Sequence, residues 1–156
     1  MSLAKLPDAI FKRDVLFGAR KASQAELVSL AKDFEGEGWL SDAVDFLTQA
    51  KDDAGLRRLR GQSIEEGDVF LFLKISRSLG DTEAVQADLR RCADKAAALG
   101  KVRYAIKGLE KAGFEAEAET LRATVAEDGD IKAEAEAKKV FIPEHELELE
   151  AEDSEA

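Results

Sequence analysis

The side chains best equipped for chemistry are arginines. Arg57, Arg58 and Arg60 stand close together, and Arg90 and Arg91 are adjacent. A guanidinium fork pairs bidentately with a carboxylate or a phosphate, so these groups suit an acidic peptide, a chain terminus or a polyanion. Lys101, Arg103 and Lys107 follow, with Tyr104 among them. The plainer reading is a solvated helix face, salt-bridged to Glu65, Glu66 and Asp88.

Other reactive side chains are sparse. Cys92 lies where an apolar helix face needs a small packing residue, and cysteine serves well as a small hydrophobe. His145 sits between two glutamates in a charged stretch, where solvation is the expected fate. The denser carboxylates, Asp42/Asp45, Asp52–Asp53 and Glu65–Glu66, fall at helix ends or beside turns. There acids complement a helix dipole or face water. No glycine pattern ends in Lys–Ser or Lys–Thr, so no phosphate loop is present. The expectation is a non-enzyme with no metal and no cofactor.

The composition places these residues on helices. Of 156 residues, 45% are hydrophobic and only 6% aromatic, with two prolines. Alanine is abundant and is the best helix former, whereas strands prefer β-branched and aromatic residues. No apolar run approaches the roughly 20 residues of a membrane span. No signal peptide is evident, and a single cysteine allows no internal disulfide, so a cytoplasmic protein is expected. The net charge of −10 is uneven: residues 1–22 carry +3, 23–113 carry −2 and 114–156 carry −11. The acidity belongs to the end of the chain, not to its body.

The residues from 23 onward read as successive helices. Ser23 with Glu26 forms a capping box. Leu27, Leu30, Ala31 and Phe34 then share one helix face. Gly36 and Gly38 end this helix. A second carries Ala43, Phe46, Leu47 and Ala50. A third carries Leu56, Leu59 and Ile64 and breaks at Gly67. A fourth, very apolar, runs from Asp68 to Leu79. A fifth is expected over Glu83–Leu99 with Thr82 as its cap, a sixth over Lys101–Ala112, and a seventh from Glu115 to about Ala126. Short turns between helices of this length predict antiparallel neighbours. Trp39, at the Gly38 turn, is expected to staple two helices. Phe70 and Phe72 lie roughly 200° apart around their helix, so only one can face the core.

The spacing repeats. Gly67 and Gly100 are 33 residues apart, as are Gly80 and Gly113, while Gly38 precedes Gly67 by 29. A small or apolar residue follows five positions after a turn glycine at Ala43, Val85, Ala105 and Ala118. A small side chain there lets paired helices approach closely. The series Leu27, Leu30, Ala31, Phe34, Gly38, Ala43, Leu47, Ala50 resembles the tetratricopeptide repeat. It returns as Leu89, Cys92, Ala93, Ala96, Gly100, Ala105, Leu109, Ala112. A degenerate copy lies between them at Leu56, Leu59, Gly67, Phe72 and Leu79. The signature tryptophan is leucine in each copy. Gly55 and Glu119 stand where the closing proline is usual.

This resemblance implies an all-α, right-handed α-solenoid of about three antiparallel helix hairpins over residues 23–126. Residues 1–22 form an N-terminal arm or short helix. Residues 127–156 form an acidic, partly disordered tail, with a candidate docking segment at 140–143. The first helix of each unit would line the groove. By that resemblance Val28, Arg57 and Arg90 face it, with Lys32 and Asp94 one turn further on. The implied function is a non-catalytic protein-interaction module (adaptor, scaffold or chaperone) whose partner is another protein or peptide, acidic partners included. The alternative is nucleic-acid or polyanion binding on the arginine-bearing face. That reading is disfavoured by the near-neutral body, because counter-ion release needs concentrated positive charge. No membrane role is expected, and homo-oligomerisation stays open. The acidic tail could also occupy the groove in cis.

Overall fold

The computed structural model describes residues 8–18, 20–81 and 85–140, with residues 128–140 in backbone only. Its elements are α1 (Ala9–Phe17), α2 (Gln24–Gly36), α3 (Leu40–Ala50), α4 (Asp53–Glu66), α5 (Val69–Leu79), α6 (Gln86–Ala98), α7 (Val102–Lys111) and α8 (Glu115–Val140). No strand occurs among the described residues, and no helix there is long and apolar enough to cross a membrane. Residues 1–119 form one unit and residues 120–156 another.

In the first unit the most extensive packing pairs α2 with α3, α4 with α5, and α6 with α7. The sequence accounts for each pair through its ends. Ser23 opens α2 with the expected capping box: its hydroxyl accepts from the Glu26 N–H at 3.3 Å, and its own N–H donates to Glu26 Oε2 at 2.7 Å. Asp8, Asp52 and Asp68 cap α1, α4 and α5 by accepting the N–H groups of Phe11, Gly55 and Leu71. Several carboxylates that could have been chemical groups are thus helix caps.

The helix ends share one device. Gly38, Lys51, Gly67, Gly80, Gly100 and Gly113 all adopt a left-handed backbone. In each case the N–H of that residue donates to the carbonyl three residues back, and the next N–H to the carbonyl five back. This double closure satisfies carbonyls that the helix leaves orphaned and reverses the chain tightly. The series also explains the irregular middle unit. α4 begins two residues after Lys51, whereas α6 begins six after Gly80. The extra four residues therefore lie in the approach to α6. That helix starts at Gln86 rather than Glu83, and its expected cap, Thr82, is outside the described residues.

Packing follows the predicted apolar faces. Phe46, Phe72, Leu47, Leu56, Leu59, Ile75, Val44 and Val69 are fully buried. Phe34 and Phe46 stack with ring centroids 5.2 Å apart. The small residues after the turns are buried as their spacing requires: Ala43 and Ala105 are wholly inaccessible and Ala118 nearly so. α1 is held to the body by charge as well as by Val15 and Leu16. Lys12 hydrogen-bonds Asp42 and Asp45, and Lys74 of α5 reaches the other oxygen of Asp45 at 2.6 Å.

This network sets a pH dependence. Burial acts to raise the Asp45 carboxyl, but hydrogen bonds and charge from Lys12 and Lys74 outweigh it and hold the group below its usual 3.8. A carboxylate with a lowered folded pKa contributes stability that is full above the unfolded value and lost as pH falls through the folded one. Asp45→Asn should therefore cost about 1 kcal/mol near neutrality, a modest figure because the pair is partly exposed. The gap between variant and wild type should close in thermal melts as the pH is lowered past 3.8 and through the depressed folded value. A gap that persists unchanged there would show that the charge plays no part.

α8 departs from the sequence reading. The helix expected to end near Ala126, before Asp128–Gly129–Asp130 could turn the chain, continues instead to Val140. Alanine, glutamate and lysine are strong helix formers, and a lone glycine costs only about 1 kcal/mol against them. In the second unit this helix, from Thr120 on, is the element described. Residues 141–156, including most of the docking segment 140–143 and His145, lie outside the described residues.

Candidate functional site

The five residues assigned to a groove come from three helices, α2, α4 and α6. Val28 on α2 is half-buried against the core. Lys32 and Arg57 are exposed, on α2 and α4. Arg90 and Asp94 do meet, on consecutive turns of α6, with Arg90 Nε donating to Asp94 Oδ1 at 2.9 Å. Arg90 is further engaged by Glu117 of α8, whose two oxygens accept from Nη1 and Nη2 at 2.9 and 2.8 Å. Its guanidinium also lies over the Phe114 ring, 4.4 Å from the centroid. The fork that suits an acidic ligand is already filled by the chain's own carboxylates.

The neighbouring arginines behave alike. Arg58 Nη2 donates to both oxygens of Glu35 at 2.7 Å, joining α4 to α2. Arg60 pairs with Asp81 at 2.7 Å, and Arg91 with Asp88 at 3.1 Å. Arg57 has no ion-pair partner among the described residues. The arginine cluster is thus mainly a set of ties between helices, which leaves little free positive charge for a ligand.

Cys92 is buried. Its thiol donates to the Ser63 carbonyl at 3.5 Å. Burial, aided by Asp68, pushes the thiol up to about 12. A thiol so protonated has almost no nucleophilic form near neutrality. Among the described residues no cluster of three histidine, cysteine or carboxylate side chains could hold a metal ion.

The pronounced concavity is elsewhere. A cleft of about 600 Å³ runs along the second helices of the hairpins and the turns that precede them. Trp39, just before α3, Phe70 of α5 and Tyr104 of α7 line it, together with Lys74 and the carboxylates Glu37, Asp42, Glu66 and Asp68. Trp39 does not staple the helices as expected. It is the residue before α3, where its backbone N–H closes the turn onto the Phe34 carbonyl while its side chain stays 58% exposed. The Phe70/Phe72 pair divides as helical geometry demands. Phe72 is fully buried, whereas Phe70 is 52% exposed and meets Tyr104 edge-on, with centroids 4.9 Å apart.

The sequence carried part of this signal. Two phenylalanines two apart on one helix had to expose one ring. The exposure of Trp39 was not readable, because the same residue type after a turn glycine could as well have packed inward. No family model matches the chain, and comparisons with curated proteins and with solved structures find no significant match either.

Proposed function

We propose that this protein is a non-catalytic protein–protein interaction module, a right-handed α-solenoid of tetratricopeptide-like hairpins acting as adaptor, scaffold or chaperone. The observation that carries the reading is the cleft. Its Trp39 and Phe70 are each more than half exposed, and its aromatic side chains come from three successive hairpins. Tryptophan and tyrosine are enriched among the residues that dominate binding energy, and exposed aromatic surface marks interaction sites. The three hairpins and their recurring left-handed turns support the repeat architecture.

The docking surface in this proposal is the second-helix cleft rather than the first-helix groove implied by the repeat resemblance. The pairing of Arg58, Arg60, Arg90 and Arg91 favours a protein partner over a polyanion. The test is affinity capture from the native cell with wild type and with Trp39→Ala/Phe70→Ala. A partner retained by wild type and lost by the double variant, at unchanged helicity, supports the reading. Equal capture by both proteins contradicts it.

A further inference from the structure

We infer that the cleft accepts a basic segment of a partner protein, with an arginine or lysine side chain lying among its aromatic rings. This deepens the docking reading and rests on it.

The argument is one of charge left over beside apolar surface. The cleft's own cation is spent: Lys74 donates to the Ser41 carbonyl at 2.7 Å and pairs with Asp45 at 2.6 Å. Asp42 is answered by Lys12. Three carboxylates at the cleft make no ion pair among the described residues. Asp68 accepts a backbone N–H from Leu71, which caps α5 but neutralises nothing. Glu66 accepts from the neutral Gln62 amide at 2.7 Å, while Lys101 Nζ goes to its main-chain carbonyl instead. Glu37 is exposed in the turn before Trp39 and makes no ion pair among the described residues. Carboxylates that make no ion pair among the described residues thus line the same cleft as Trp39, Phe70 and Tyr104.

Aromatic faces attract cations, and arginine or lysine also carries a long apolar stem that such rings can cover. An acidic segment would meet like charge on desolvation. A purely apolar one would strand the carboxylates without water. A cationic, amphipathic side chain satisfies both parts of the cleft.

The chain holds a single tryptophan, so Trp39 emission reports on the cleft directly. The probes are two synthetic 12-residue peptides, one alternating arginine with leucine and one alternating glutamate with leucine, titrated into the full chain. The expected result is a saturable emission shift with the arginine peptide only. Glu37→Gln/Glu66→Gln should weaken it about five-fold or more, as two lost contacts with a cation allow. Phe70→Ala should weaken it comparably.

The acidic end of the chain could gather the same peptide without any site. Glu150→Gln/Glu152→Gln removes the same charge there and must leave the titration unchanged. The inference is overturned if these tail substitutions weaken binding as much as the cleft pair does. It is also overturned if the glutamate peptide saturates equally, or if no saturable shift occurs. An emission shift that grows with protein concentration alone would assign the cleft to a second copy and overturn it too. Loss of the Trp39→Ala/Phe70→Ala effect on native capture would sink the docking reading itself, whereas a failed peptide titration with that effect intact sinks only the cationic chemistry.

Discussion

Gly67→Ala should destabilise the protein by about 3 kcal/mol, a large effect for the addition of one methyl group. Two costs combine. Gly67 holds a left-handed backbone at φ +62°, which any other L-residue adopts at a cost of about 1–2 kcal/mol. A Cβ placed there would also lie 2.7 Å from both the N and the Cα of Ala96. Those are backbone atoms of α6, so relief requires moving a helix rather than a side chain. Gly100→Ala provides the control: its φ is +72° but nothing lies within 4 Å of the added atom, so only the conformational cost of about 1–2 kcal/mol applies. Lys51→Gly should act in the opposite direction, stabilising by about 0.5–1 kcal/mol, because Lys51 occupies the same left-handed turn at φ 54°. Urea titrations of the three variants measure the order. A Gly67→Ala cost no larger than that of Gly100→Ala would mean that α4 and α6 are not packed this closely.

Phe72→Ala should cost about 3–5 kcal/mol, and Phe70→Ala less than about 1 kcal/mol. The two residues share a helix and a side-chain type. Phe72 has no accessible surface, so truncation leaves a cavity that packed neighbours cannot refill. Phe70 is 52% exposed and gives up chiefly one edge contact with Tyr104. A variant that sits near the unfolding threshold will bind poorly for trivial reasons, so this asymmetry is also what makes Phe70→Ala usable as a binding probe. Thermal melts of the two variants decide it; comparable losses would place Phe70 in the core and remove the cleft.

Much of the frame was legible in the residues. The Ser23–Glu26 capping box, the turn glycines and the alanines five positions after them follow from local rules of helix ends and close approach. Lys51 escaped that reading because lysine gives no hint of a left-handed turn; only its place in the series between Gly38 and Gly67 reveals it. The continuation of α8 past Asp128 was missed because a glycine between two aspartates reads as a turn, although neighbouring alanines and glutamates override it.

The candidate site was harder to read than the frame. Arginine pairing depends on partners such as Glu35 for Arg58 and Glu117 for Arg90, which lie 23 and 27 residues away on other helices. No periodicity within one helix predicts which carboxylate arrives. The cleft likewise assembles Trp39, Phe70 and Tyr104 from three hairpins, and their convergence is a property of how the hairpins stack.

Photo-crosslinking tests the central claim most directly. A benzoylphenylalanine placed at position 70 in the full chain, expressed in its native cell, should yield a discrete crosslinked partner, while the same group at position 57 on the first-helix face of the second hairpin should yield little. Crosslinking from position 57 but not from position 70 would contradict the account and return the binding surface to the groove.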